Sequence, residues 1–77
     1  NPFNPVTTIG YSLPKDCNVE IQIFDMMGQE VTTLVGEHKN RGNHIVQWNA
    51  NGYSTGLYFV SMKTESYQKT RKILLIK

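Results

Sequence analysis

Residues 19–28 read Val-Glu-Ile-Gln-Ile-Phe-Asp-Met-Met-Gly, and this stretch decides the fold class. Val19, Ile21 and Ile23 alternate with polar residues at the two-residue period of a strand that buries one face. Asp25 is the first and Gly28 the last of the next four residues. An aspartate and a glycine at these two positions are typical of a type I turn joined to a bulge. The stretch therefore predicts a β-strand followed by a hairpin turn.

The sequence on either side of this hairpin repeats the same pattern of short strands and turn signals. No apolar residues recur at helical spacing over three turns, so no helix longer than one turn is expected. A longer polar surface loop is predicted over 35–43. The other predicted strands cover residues 8–13, 29–34, 44–49, 56–64 and 67–76. Turn signals about every 8–12 residues favour an all-β, immunoglobulin-like antiparallel β-sandwich of six to seven short strands.

Length and composition limit the number of domains and the kind of protein that the chain can be. Seventy-seven residues suffice for one core, so we expect a single domain over 1–77, with Asn1 to Pro5 as an extended arm stiffened by two prolines. The mean hydropathy of −0.39 and the absence of a long apolar run argue against a membrane protein. Cys17 is the single cysteine and cannot form an internal disulfide. The composition predicts a soluble domain whose fold does not depend on oxidation.

Charge is concentrated near the C-terminal end of the sequence. The net charge of +2 is too small for general nucleic-acid affinity. Four basic residues nevertheless fall within the last nine positions: Lys69, Arg71, Lys72 and Lys77. The cluster could serve an anionic partner, or it could protect a solvated edge strand from aggregation.

Candidate chemical sites are few. His38 and His44 bracket the predicted polar loop without a second cysteine or paired acids at ligand spacing, so they are interpreted as solvated loop residues. Cys17 has no histidine nearby in sequence and is interpreted as a half-buried, inert thiol. No phosphate-binding glycine pattern occurs. We therefore expect no enzyme activity, no catalytic residue, no cofactor and no metal.

The aromatic residues leave two interpretations open. Trp48 alternates with Val46, which favours a core position over a sugar-stacking platform. Tyr53 and Tyr67 have polar neighbours and are the candidates for exposed aromatics, the feature that a carbohydrate-binding appendage would need.

Taken in order, a set of short motifs extends over nearly the whole chain. The motifs are Asn-Pro-Phe-Asn-Pro at 1–5, Thr8-Ile9-x-Tyr11-x-Leu13-Pro14, Ile23-Phe24-Asp25-x-x-Gly28-x-x-Val31, Leu34, Gly42-x-His44-x-Val46-x-Trp48, Gly56-Leu57-Tyr58-Phe59-Val60 and Lys72-Ile73-Leu74-Leu75. In this order and spacing they resemble the C-terminal sorting domains of the type IX secretion system and, in the middle part, the immunoglobulin-like domain of flagellar hook-capping proteins.

The resemblance implies a function that composition does not show. Such domains form the C-terminus of a cargo protein, direct it from the periplasm through the outer-membrane translocon to the cell surface or medium, and are often removed by a sortase-like peptidase. It also implies that the last hairpin is recognised, through Gly56, Tyr58, Val60, Lys72, Ile73, Leu74, Leu75 and Lys77. A strand that is basic and then apolar suits recognition by strand addition.

Two other functions remain open at this stage. A self-associating structural module would pair the extended arm or the last strand with the open sheet edge of a neighbour, which builds dimers or filaments. A carbohydrate-binding appendage would use the two tyrosines.

Overall fold

The computed structural model of the chain describes residues 6–76. The predicted N-terminal arm, 1–5, and Lys77 lie outside these residues. Within them the chain is all-β, with six strands and no helix. The strands are β1 (Val6–Leu13), β2 (Cys17–Phe24), β3 (Glu30–Lys39), β4 (Gly42–Asn49), β5 (Gly56–Thr64) and β6 (Gln68–Leu75). The predicted fold class is confirmed.

The strands form two sheets that pack face to face around the core. One sheet has four strands in the order β3-β2-β5-β6, and the other pairs β1 with β4. Every pairing is antiparallel. β5 lies inside the larger sheet between β2 and β6, the central position that its apolar run from Leu57 to Val60 predicts.

The core lies between the two sheets and follows the alternation seen in the sequence. Ile21 and Ile23 of β2 are fully buried, and Trp48 of β4 faces them from the smaller sheet with 1% of its surface exposed. The Trp48 ring contacts Tyr58 edge to face, with ring centroids 5.2 Å apart, and also packs near Tyr53 at 5.6 Å. The core position predicted for Trp48 is therefore confirmed.

The hairpin turn between β2 and β3 has the predicted form. One carboxylate oxygen of Asp25 accepts hydrogen bonds from the backbone N–H groups of Met27 and Gln29, and Gly28 N–H donates to the Asp25 carbonyl. Gly28 has φ of +82°, a left-handed conformation that glycine adopts without the steric cost of a Cβ. This geometry explains why an aspartate and a glycine stand at the two ends of the turn.

The prediction of a third strand ending at Leu34, followed by a surface loop over 35–43, is wrong. β3 continues to Lys39, and β4 already begins at Gly42. A bulge at Leu34 conceals the strand, because Ile21 pairs with Val35 whereas Gln22 pairs with Thr33, so the alternation changes phase there. Beyond Val35 the strand is polar because β3 is an edge strand of its sheet.

Candidate functional site

The candidate site is the hairpin of β5 and β6, which contains the predicted recognition residues. The two strands pair in continuous register from Gly56 opposite Leu75 to Lys63 opposite Gln68. Thr64 closes the turn through backbone and side-chain bonds with Tyr67. β6 has β5 as its one neighbour among the described strands, so it is an edge of the four-stranded sheet.

Successive residues of the hairpin point to opposite faces of the sheet. Tyr58, Val60 and Leu75 point into the core, with 5–6% of their surfaces exposed, and Ile73 packs partly against them. Lys72 and Leu74 point outward, and 65% of the Leu74 surface is exposed. Gly56 begins β5 and is half-buried, whereas Lys77 lies beyond residue 76. The sheet therefore divides the predicted recognition residues into a buried group and an exposed pair.

Outward side chains of the neighbouring strands continue the surface formed by this exposed pair. Phe24 pairs with Phe59, Phe59 pairs with Lys72, and Leu57 pairs with Leu74. We call these five residues the outer strip. Its three partly buried members are Phe24, Leu57 and Phe59. These three residues were not predicted from the sequence to lie at the surface, although the inward direction of Tyr58 and Val60 implies that Leu57 and Phe59 face the other way.

Tyr58 attaches the start of the hairpin to the core. Its hydroxyl donates a 2.7 Å hydrogen bond to the carbonyl of Ser54, and its ring contacts Trp48. Burying the ring while satisfying the hydroxyl is the usual way for a tyrosine to occupy a core position. Tyr58 therefore positions the strand from within.

The two histidines differ from the prediction, since both lie in strands rather than in a loop. His38 is on β3 and its ring Nδ1 lies 3.3 Å from the Asn18 side-chain oxygen. His44 is half-buried on β4, stacks on the Tyr11 ring at 5.2 Å and bonds through Nε2 to the carbonyl of Asn40. His38 lies in a strand because β3 continues through residues 35–39 of the predicted loop, whereas His44 stands at the predicted start of the fourth strand.

The three other singled-out side chains are more buried than expected. Cys17 is a core residue with 5% of its surface exposed, because it begins β2 on the inward face. Tyr53 packs against the core beside Trp48, and the Tyr67 hydroxyl donates to the Ser12 carbonyl at 3.3 Å. The prediction that these tyrosines are exposed aromatics is wrong, since both are partly buried.

Residues 6–76 contain neither a cluster of metal-ligating side chains nor a long apolar helix. No group of three or more histidine, cysteine, aspartate or glutamate side chains there is placed to hold a metal ion. In the same range, no helix has the length and apolar character needed to span a bilayer.

Tyr11 provides a prediction for the pH dependence of stability. Burial, and secondarily the negative charge of Glu37, raises the pKa of the Tyr11 hydroxyl above its ordinary value of 10.0. A raised folded-state pKa gives a stabilisation that is fully present below the unfolded value and is lost as the pH rises through the folded value. We expect the free energy of unfolding to fall less steeply above about pH 10 in Tyr11→Phe than in the unaltered chain. Urea denaturation between neutral pH and pH 11 measures the difference, and identical slopes would contradict it.

Comparison with known proteins identifies the family. Neither the curated proteins nor the solved structures gave a match. The family model described as "Secretion system C-terminal sorting domain" matches residues 1–77, the full length of the sequence. This agrees with the order of motifs from the first residues to the β5–β6 hairpin. The chain therefore belongs to the secretion system C-terminal sorting domain family, whose members are sorting signals of type IX secretion.

Proposed function

We propose that residues 1–77 act as one sorting unit that directs a cargo on the same polypeptide from the periplasm, through the type IX translocon, to the cell surface or the medium. The observation that carries this proposal is the family match over the whole sequence. The unit supplies recognition and no catalysis. Asn1 to Pro5 would join it to the cargo, and a sortase-like peptidase would act at or before Asn1.

The outer strip is the part of the terminal hairpin that we assign to contact with the secretion machinery. It combines apolar side chains with Lys72 on one outward face, and Leu74 is largely solvent-exposed. Apolar side chains clustered on a surface are typical of protein–protein interaction sites. Gly56, Tyr58, Val60, Ile73 and Leu75 would contribute by holding the strands in shape, and Lys77 would extend the basic end.

A reporter fusion tests the sorting function. A periplasmic reporter followed by residues 1–77 is expressed in a type IX-competent bacterium and in an otherwise identical strain without the translocon. We expect the reporter at the surface or in the medium of the competent strain, and in the periplasm of the other. Retention inside the competent strain would refute the proposed function.

A pair of substitutions tests the assignment of the outer strip. Leu74→Asp places a charge in the outer strip. Ile45→Asp places the same charge on the other sheet, at a residue with 73% of its surface exposed against 65% for Leu74. We expect export to fall about tenfold for Leu74→Asp and to stay near normal for Ile45→Asp, with both purified chains folded, since a charge in a desolvated contact costs more than a kilocalorie. Equal export by the two variants would remove the strip from the proposal.

A further inference from the structure

A groove opens between the two sheets where β1 approaches β6. Its volume is about 740 Å³, and its floor is formed by the apolar side chains Ile9, Ile21, Val60 and Met62. The volume lies within the range of about 300–1,000 Å³ that is usual for binding pockets. The groove faces inward between the sheets, whereas the outer strip faces away from them.

One wall of the groove is the open edge of β1. β1 pairs with β4 and has no second neighbour among the described strands. The carbonyls of Gly10 and Ser12 accept hydrogen bonds from Arg71 and Tyr67, which belong to the other sheet and its turn. Because both backbone groups of a strand residue point the same way, the N–H groups of Gly10 and Ser12 also face the groove.

Two side chains thus occupy positions where a neighbouring strand would place its backbone donors. The Arg71 guanidinium donates to Gly10 at 3.1 Å, and the Tyr67 hydroxyl donates to Ser12 at 3.3 Å. These acceptors are two residues apart, which is the spacing of alternate groups along a β-ladder. Both contacts are exposed to solvent, where the released donors can bond to water, so an incoming strand can displace them.

The two charged residues that line the groove, Lys69 and Arg71, are both basic. None of the lining residues is an aspartate or glutamate, although the charge of Glu37 acts on Tyr11 in the lining. Lys69 is held near the groove with its ammonium group 5.5 Å from the centre of the Tyr67 ring. An occupant of the groove should therefore carry acidic side chains beside the apolar ones that the floor receives.

We propose that the groove binds an extended segment of a partner protein that adds to β1 as a third strand and directs both apolar and acidic side chains towards β5 and β6. Its backbone pairs with Gly10 and Ser12, its apolar side chains contact Val60 and Met62, and its carboxylates pair with Lys69 and Arg71. These last four residues share one face of the sheet, since Val60 pairs with Arg71 and Met62 pairs with Lys69. The inference goes beyond the sorting function and does not depend on it.

Charge also argues against two occupants from the chain itself. The β6 strand of a second copy carries Lys69, Arg71 and Lys72 without an acidic residue, so it would be repelled by the same groups in the groove. The segment 1–5 has no acidic residue and contains two prolines, which lack the backbone donor of a ladder.

The test uses the purified 77-residue chain and the peptide acetyl-Thr-Val-Thr-Glu-Thr-Val-Thr-Glu-Thr-amide, in which the valines and glutamates lie on the same face of a strand. Amide NMR spectra at low salt measure binding. We expect saturable shifts at Thr8, Gly10 and Ser12 and on β6, and binding at least about tenfold weaker for the peptide in which lysine replaces each glutamate. The absence of saturable shifts, equal binding of both peptides, or shifts confined to the outer strip would overturn the proposal.

Variants separate backbone pairing from charge. Gly10→Pro removes the N–H that faces the groove, while Gly10→Ala retains it, and a Cβ at this position meets no atom closer than 4.0 Å. We expect affinity to fall about fivefold or more in Gly10→Pro and to be retained in Gly10→Ala. Lys69→Glu combined with Arg71→Glu should reverse the preference between the two peptides.

Circular dichroism establishes that each variant remains folded, and the double charge variant keeps the test decisive if Gly10→Pro does not fold. Unchanged peptide preference in that double variant would overturn the proposal. Sedimentation of the chain without peptide should show a monomer. A dimer whose interface includes β1 would show instead that a second copy occupies the groove.

Discussion

Replacing Trp48 with alanine is expected to lower the free energy of unfolding by about 3–5 kcal/mol, the usual cost of removing a large aromatic side chain from a core. Trp48 is the largest of the fully buried side chains, and it contacts both Tyr53 and Tyr58. A domain of this length is stabilised by on the order of 4–12 kcal/mol. The substitution therefore removes much of the stability of the protein.

Urea denaturation followed by circular dichroism measures this effect, since the variant contains no tryptophan for fluorescence. Ile45→Ala is the matched control because Ile45 lies three positions earlier on the same strand with 73% of its surface exposed. Its cost should stay within about 0.5 kcal/mol, as for most surface substitutions. Similar losses in the two variants would show that Trp48 is not a principal core residue.

The second prediction contrasts two adjacent leucines of β6. Leu75 has 6% of its surface exposed and Leu74 has 65%, because successive strand residues face opposite sides of the sheet. Leu75→Ala should lower the free energy of unfolding by about 2–3 kcal/mol. This is the lower part of the range for buried leucines, because the surroundings of a strand end can move to fill the cavity more easily. Leu74→Ala should cost less than about 0.5 kcal/mol.

Thermal and urea unfolding of the two variants under the same conditions provide the measurement. The pair shares composition, strand and substitution, so helix or strand propensity cannot account for a difference. Equal destabilisation would mean that the register of Gly56 with Leu75 is not the one formed in solution. A larger loss for Leu74→Ala would mean that β6 presents its other face to the core.

The sequence predicts the strands that have a buried apolar face better than the polar second half of the edge strand β3, for a physical reason. β2 and β5 each have a hydrogen-bonded strand along both edges, and one face of each is buried in the core. The buried face requires apolar residues, which gives a clear alternation, as at Val19, Ile21 and Ile23. β3 is an edge strand with a bulge at Leu34 and a mostly exposed second half, so its residues resemble those of a loop. Local pattern cannot separate a polar edge strand from a polar connection.

The sequence predicts the hairpin that forms the candidate site, but not the surfaces that this hairpin builds with other strands. The position of the terminal hairpin follows from sequence, and so does the inward direction of Tyr58 and Val60 once the strand is recognised. The joining of Phe24 to Phe59 and Lys72 in one outer strip depends on the register of three strands. The groove depends on how far one sheet covers the other. Neither property is encoded within a single stretch of sequence.

The order in which strands pair has a consequence for the time at which this protein can fold. β1 pairs with β4, and β2 pairs with β5, so the contacts that close the core join residues far apart in the chain, as in Ile9 with Val46 and Ile23 with Val60. Domains dominated by such non-local pairing usually fold in milliseconds to seconds. Leu75 completes the buried cluster from β6. On a ribosome, the complete buried cluster can therefore form only after residue 75 has been synthesised.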